Sequence, residues 1–354
     1  MGSPVNAVWA GFPGEGDRVT TAVSLKDVAL SAGVSIKTVS NVVNGYQHVR
    51  PEMRQRVQQV IDELGYRPNL SARSLRRGRT GVIALALPEL TSPYFAELAG
   101  SIIDSAERRG WTVLVDQTDG VRERELLVLQ GIRSHLIDGA IFSPLALGRD
   151  DGKTLRPEVP LVLLGERVFD GDVDHIAIDS VAAAKTAVEH LVQRGRTKVA
   201  VIGAQRTRSS ETARLRLKGY EQALRAAGLA EDPSLVLPAV QWHRADGANA
   251  ARELLSRKLW PDAIFCCNDL LAIGAIHALQ RAGVSVPDDV AVIGIDDIEE
   301  AAFATPSLTT IGPDKVAIAQ LSLELLAARI GTPAAARPPQ DLQVDFKLIV
   351  RDST

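Results

Sequence analysis

Cysteine is almost missing from this chain of 354 residues. There are two, Cys266 and Cys267, and they are adjacent in an apolar run, where neighbours in sequence cannot form an ordinary structural disulfide. A disulfide scaffold is excluded, and a reducing compartment fits. Long apolar runs are also missing: the longest, such as Gly81 to Leu87 and Val199 to Gly203, are strand-sized and far below the roughly 18 to 20 residues of a membrane helix. The first eighteen residues lack a basic start followed by an apolar stretch, so no secretory signal is read there. The expected location is the cytoplasm, with no membrane involved. Aromatics are scarce at 4%, and net charge is small, 40 Lys/Arg against 43 Asp/Glu for −3, so the chain as a whole has no polycationic character.

What is present is a globular balance, 45% hydrophobic and 23% charged, in a chain long enough for two or three domains. The charge is unevenly spread. Residues 22–80 hold ten Lys/Arg against four acids, a surplus of six positive charges, while residues 81–354 carry a net eight negative charges. A basic head on an acidic body would be oriented on a polyanion without adhering all over, although charge alone equally fits a solvated face.

Ser24 and Asp27 have the spacing of a capping pair, and Leu25, Val28 and Ala29 share a helical face that Gly33 ends. Ser35 caps a second helix, Ile36 to Val43, with Val39, Val42 and Val43 inward and Asn44-Gly45 as its stop. Two short helices on so tight a turn form a helix-turn-helix, whose second helix can enter the major groove. Lys37 then reaches guanine, Asn41 pairs with adenine and Ile36 touches a thymine methyl, with Thr38, Ser40, Asn44 and His48 on phosphates. A third helix carries Pro51 in its first turn, Val57, Val60, Ile61 and Leu64 as its stripe, and Gly65 as terminator. The stretch that follows, LSARSLRRG, is too short to be a stable helix alone and interleaves arginines with a leucine. It suits a segment that orders on DNA, with Leu75 as an apolar wedge between base pairs in the minor groove, the arginines on phosphates, and Ser71 and Ala72 also counted among the DNA contacts.

From Gly81 onward, strand-sized runs (GVIALAL, WTVLVD, DGAIF, PLVLL, HIAID, KVAVIG, DAIFCC, VAVIGID) alternate with amphipathic stretches such as Tyr94 to Arg109 and Ala213 to Ala227. The pattern predicts parallel sheets with crossover helices, whose ligands bind beyond the carboxyl ends of the strands. Those ends offer Tyr94 and Phe95, Thr212 and Arg216, Asn268, and Asp296, while Trp242 adds a flat face for stacking. Arg216 and Asp296 read as ligand contacts or as a salt bridge, Asn268 as a ligand contact or a helix cap, and Phe95 in part as core.

SLKDVALSAGVSIKTVSNVVNG and DELGYRPNLSARSL resemble the headpiece and hinge motifs of LacI/GalR-type transcription repressors, and the likeness extends from about Ser24 to the C-terminus. TSPYFAEL, ETARLRLKGY, CNDLLAIGA and IGIDDI look like that family's effector-pocket segments. The resemblance implies a multidomain fold: an all-α helix-turn-helix headpiece with a hinge helix, then an α/β two-lobed periplasmic-binding-protein-like domain with parallel sheets. The expected division is an extension over 1–21, a headpiece over 22–67, a hinge over 68–80 and an effector domain over 81–354. Within the last, one lobe takes about 81–179 and 313–341 and the other about 180–312 and 342–354, the chain crossing near Asp179, Gly312 and Asp341. The resemblance places Arg216, Asn268 and Asp296 on the family's commonest hydrogen-bonding positions, Trp242 where a stacking aromatic is frequent, and Leu75 on the wedge leucine. It implies a homodimer on a near-palindromic operator and a small effector of the carbohydrate class that tilts the lobes. Sugar-binding members commonly end the fourth strand with aspartate then arginine, whereas here Gly165-Glu166-Arg167 displaces the carboxylate by a position. The 18 residues before Val19 are also unlike the family.

An enzyme is the first rival, but GxxxxGK[ST], G-x-S-x-G and a Cys/His metal cluster are all lacking, so neither catalysis nor a cofactor is expected. A transport solute-binding protein would need a signal peptide and no helix-turn-helix.

Overall fold

A computed structural model describes residues 23–43, 45–66, 79–129, 136–148, 151, 158–166, 173–205, 211–332 and 337–354. The chain divides into two compact units, Met1–Gly78 and Arg79–Thr354.

In the first unit, helix α1 (Leu25–Ala32) starts at a capping box in which Ser24 and Asp27 satisfy each other's backbone N–H, and it stops at Gly33 in the left-handed conformation. Ser35 accepts from the Thr38 N–H at 3.1 Å and starts α2 (Ile36–Val43). Helix α3 (Pro51–Leu64) ends at left-handed Gly65. Val28, Ala32, Val39 and Val57 are fully enclosed in a core completed by Ala29, Val42 and Tyr66. Leu64, expected on the inner stripe of α3, is instead exposed. The last turn runs past the small core, so only Val57 is buried and Val60 and Ile61 are half-buried. Asn44 and the hinge residues Ser71, Ala72 and Leu75 lie outside the described residues.

The second unit is two doubly wound lobes. The first lobe has a six-stranded parallel sheet ordered β11-β5-β4-β3-β1-β2, from β1 (Val82–Leu87), β2 (Thr112–Gln117), β3 (Gly139–Phe142), β4 (Leu161–Leu164), β5 (Asp174–Ile178) and β11 (Asp341–Val344). Helices α4 (Pro93–Glu107), α5 (Arg122–Leu129) and α11 (Lys315–Arg329) belong to it. The second lobe orders β12-β10-β9-β8-β6-β7, from β6 (Val199–Ile202), β7 (Val236–Leu237), β8 (Ala263–Cys266), β9 (Ala291–Ile295), β10 (Thr309–Pro313) and β12 (Phe346–Ile349), with α6 (Ser180–Gln193), α7 (Glu211–Ala226), α8 (Arg244–Ser256), α9 (Asp269–Arg281) and α10 (Glu299–Phe303). Only the β10–β12 pair is antiparallel among the described strands. Central strands such as β3, β8 and β9 are buried along their whole length, as expected of a sheet covered by helices on both faces.

The chain passes between lobes at Asp179, at Asp314 and at Asp345. The second and third passages lie two and four residues beyond the expected Gly312 and Asp341, because Pro313 still pairs in β10 of the second lobe. Residues 341–344 pair in parallel with β5 and so remain in the first lobe's sheet. Helices α8 and α9 pack through two glycines: a Cβ on Gly274 would lie 1.9 Å from the Arg244 carbonyl oxygen, and one on Gly247 2.0 Å from that of Leu271. That close approach fixes Trp242, just before α8, against Asn268, the cap of α9.

Candidate functional site

The carboxyl ends of the strands of both lobes converge on a cleft. From the second lobe, α7 brings Arg216, which is 5% exposed. Its guanidinium donates to the Cys267 carbonyl and, at 3.4 Å, to Ser180 Oγ. It lies 5.4 Å from the centre of the Trp242 ring, a cation–π stack, and 3.9 Å from Glu166 Oε1. Trp242, in the loop before α8 with φ +47°, is pinned by its Nε1–H donating to the Gly203 carbonyl at 3.0 Å. Asn268 does two structural jobs at once: its Oδ1 accepts from the Leu271 N–H at 2.9 Å, capping α9, and its Nδ2 donates to the Trp242 carbonyl at 3.1 Å. Thr212 at the start of α7 donates to Glu166 Oε2 at 2.5 Å.

Asp296 follows β9 with φ +130° and is 8% exposed. Its backbone is fully used, the N–H donating to the Ile311 carbonyl at 2.8 Å and the carbonyl accepting from Lys315 Nζ at 2.7 Å. Its carboxylate accepts no hydrogen bond among the described residues. Burial pushes this carboxyl well above the ordinary range; Arg216 and Lys315 pull it back, and Asp269 and Glu166 add to the rise. Asp269, fully buried, is likewise pushed up to about 7 by burial, against the hydrogen bonds of Thr310 and the Ile298 N–H. Burial also raises the Tyr94 hydroxyl, with Asp296 and Glu166 contributing, and pushes the Cys267 thiol up to about 12.

From the first lobe, Tyr94 in the first turn of α4 packs against the cores of both lobes. Phe95 stands edge-on to it at 5.3 Å and packs into the first lobe's core alone. The structure therefore gathers Tyr94, Thr212, Arg216, Trp242, Asn268 and Asp296 round one cleft and sets Phe95 behind it.

Residues outside the expected set complete the site. Glu166, just after β4, takes Ser180 Oγ at 2.6 Å as well as Thr212, and so bridges the lobes. Glu89 and His243 bridge them again at 2.8 Å. Burial raises the Glu89 carboxyl, yet hydrogen bonds from Thr91 and His243 outweigh it and hold the group below its ordinary value. Lys315 Nζ, 2.8 Å from Glu97 Oε2, also holds the carbonyls of Asp296 and Asp297. Glu166 was within reach of the strand-end rule, since it follows β4; the pairs made by Lys315 and His243 join residues far apart in sequence and had no local signal.

In the headpiece unit, Ile36, Lys37 and His48 are exposed, and Thr38, Ser40 and Asn41 half-buried. Ile36, Lys37, Ser40 and Asn41 share one side of α2, opposite the buried Val39 and Val42. Thr38 Oγ1 shares a hydrogen bond with Ser35 Oγ at 2.9 Å. Among the described residues no group of His, Cys, Asp and Glu could hold a metal ion, and no helix is long and apolar enough to cross a membrane.

Known proteins match both units. Residues 24–69 fit the model of bacterial regulatory proteins of the lacI family, and residues 188–354 that of the periplasmic binding protein-like domain. The ribose operon repressor of Escherichia coli (strain K12) is 35% identical over 332 residues, covering 93% of this chain and 99% of that one. The transcriptional regulator DegA of Bacillus subtilis (strain 168) is 33% identical over 340 residues, covering 94% and 98%. Among solved structures, the lac repressor dimer bound to operator and the anti-inducer ONPF superimposes with a TM-score of 0.79 at 28% identity, over 94% of this chain and 99% of that one. A CelR–cellobiose complex gives 0.69 at 30% identity, over 94% and 100%. A basic helix-turn-helix head, a two-lobed body with its polar cleft, and relatives matching over nearly the whole length lead to one assignment: the chain belongs to the LacI family of DNA-binding transcriptional regulators.

Proposed function

We propose that the protein is a repressor, active in the cytoplasm as a homodimer on a near-palindromic operator, whose DNA affinity is set by an uncharged carbohydrate bound in the cleft. It works by binding and performs no catalysis. The observation that carries the effector reading is Asp296: a nearly buried carboxylate, without a hydrogen-bond donor among the described residues, beside a buried arginine and a stacked tryptophan. The Asp296 oxygens keep some access to solvent and hydrogen-bonding capacity that no protein donor fills, and ligand hydroxyls fill it by donating to them while Arg216 donates to the ligand. Arg216 is engaged by Glu166 and the Cys267 carbonyl, and Lys315 by Glu97 and two carbonyls, so neither cation is spare for a phosphate or carboxylate, which disfavours phosphorylated or acidic sugars. Tyr94, Thr212, Trp242 and Asn268 line the site, and Phe95 supports it from the core. Solved structures of relatives in complex with cellobiose and with D-xylulofuranose agree with this class.

On DNA, Lys37, Asn41 and Ile36 read bases, and Thr38, Ser40, Asn44 and His48 take phosphates. Residues 68–80 order on the duplex, with Ser71, Ala72 and Leu75 at the minor groove. The headpiece spans 22–67 and the effector domain 81–354, the lobes dividing at Asp179, Asp314 and Asp345. Effector binding tilts the lobes about those three passages; a hundredfold preference for one state amounts to about 2.7 kcal/mol of coupling.

The test is selection of genomic fragments by the intact protein at low salt, then footprinting with and without pairs of free sugars and their phosphates. A near-palindrome whose occupancy shifts with a free sugar, and in the wild type but not in Arg216→Ala, is expected. Failure to enrich any sequence, or an identical response of Arg216→Ala, refutes the reading.

A further inference from the structure

His175 occupies a place that the cleft geometry above leaves unexplained. It lies in β5, 5% exposed, four residues before the first passage at Asp179. Its neighbour in the parallel register is Asp341, four residues before the third passage at Asp345. The ring therefore stands between two of the three strands that lead into the hinge. Nδ1 is 2.7 Å from Asp341 Oδ1, and Nε2 meets the Gly165 carbonyl oxygen. Gly165 has φ +90°, a conformation that glycine adopts without strain, and its N–H donates to the Ile176 carbonyl at 3.0 Å. The next residue is Glu166, whose two carboxylate oxygens cross the cleft to Ser180 and Thr212 and approach Arg216.

We propose that His175 is the positioning residue of the cleft: anchored to Asp341, it fixes the Gly165 turn and so sets the Glu166 carboxylate against α6 and α7, making Glu166 a specificity-determining group for the effector. The proposal rests on the cleft being the effector site. Gly165 has no side chain of its own to define where the strand-end turn points, and a bond from a ring nitrogen to its carbonyl supplies that definition. The Glu166 carboxylate spans the lobes with three groups of the second lobe, so a displacement of one turn changes contacts on the opposite wall. A carboxylate placed there selects ligands that present a donor at that wall, which is how a strand end carrying glycine then glutamate takes over a reading task.

A purely structural histidine would loosen only its own strands. A positioning histidine changes the far wall. Hydrogen exchange of the full-length protein, read by mass spectrometry without any added sugar, separates the two. In His175→Ala, amides of residues 211–217 in α7 are expected to exchange roughly tenfold faster, the size of losing one charge-assisted hydrogen bond. Asp341→Asn, altered at a side chain that is 74% exposed and so safe for folding, gives the same pattern more weakly. His175→Gln, whose amide keeps an N–H for the Gly165 carbonyl, restores part of the protection. In a Glu166→Gln background, His175→Ala adds nothing at 211–217. Unchanged exchange at 211–217 in both His175→Ala and Asp341→Asn overturns the proposal, as does an equal increment in the Glu166→Gln background. Should His175→Ala not fold, Asp341→Asn decides. Failure of the effector-site reading itself would show separately, as a sugar response untouched by Arg216→Ala.

Discussion

Replacing Asp296 by asparagine should make the protein more stable while removing its effector response. The carboxyl is buried, has no hydrogen-bond donor among the described residues, and is pushed well above its ordinary value of 3.8 by burial. A group whose folded-state value is raised binds protons more tightly when folded, so its contribution favours folding at low pH and is lost as pH rises from the ordinary value toward the folded one. At pH 7 the fold must therefore either carry a buried charge or protonate the group. Either course opposes folding and Arg216 and Lys315 relieve only part of it, so Asp296→Asn is expected to gain about 1 to 3 kcal/mol, the usual cost of a polar group buried without a partner, or a rise of several degrees in melting temperature for a domain of this size. Asp269 adds to the rise of Asp296, so the substitution also removes that repulsion and the Asp269 contribution does not cancel between the two proteins. Scanning calorimetry from pH 4 to 8 provides the check: the variant melts higher at pH 7, and the two curves converge as pH falls toward 4. A variant less stable at pH 7, or a gap that widens on acidification, refutes the assignment of Asp296 as an unpaired buried acid. Footprint titration with the responsive sugar then shows at least a tenfold weaker response, because the amide cannot replace a charged acceptor.

Arg216→Ala leaves Glu166 without its nearby cation and the Cys267 carbonyl without its donor, and a loss of about 3 to 5 kcal/mol is expected from breaking so buried a set, read as a fall in the melting temperature of the body. Gly274→Ala drives a Cβ into the Arg244 carbonyl oxygen, and prying α8 from α9 costs about 1 to 3 kcal/mol and shifts Trp242 fluorescence; an unaltered spectrum and melting point would count against the close packing. Asn41→Ala should relax selection at one base pair of each half-site by about 1 to 3 kcal/mol in a selection experiment, leaving the other positions unchanged. Leu75→Ala should weaken specific operator binding with an unchanged melting curve, and equal affinity would argue against a wedge.

The headpiece was legible because its rules are local. The Ser24–Asp27 capping box, the glycine stops at Gly33 and Gly65 and the valines of α2 are all settled within one or two turns, and each stands where the pattern placed it. Most of the eight strands read from apolar runs were legible for a similar reason, since a strand buried on both faces reads as a continuous apolar run, while β2 carries such a run although it is largely exposed. The two-residue β7 was not, nor was β10, whose Thr309-Thr310 start and Gly312-Pro313 end hide a buried strand, nor were β11 and β12, whose residues alternate or are largely exposed and which pair with a strand already in place. Leu64 was misplaced because helical periodicity gives a direction but not how far the core extends along it.

By itself, then, the sequence determined the class of most elements, the basic head and acidic body, the strand ends that carry Asn268 and Asp296, and the helical stretch that carries Arg216. Tertiary structure alone decided what those groups meet. That Asn268 also holds the Trp242 carbonyl, that Trp242 lies on Arg216, that Asp296 faces the cleft without a donor while Glu166 is tied across it to Thr212, and that His175 reaches Asp341 all depend on segments tens to hundreds of residues apart. Capping and burial patterns act over a few residues and are written locally; pairing, desolvation and the spacing of charges arise only when distant strands are brought side by side.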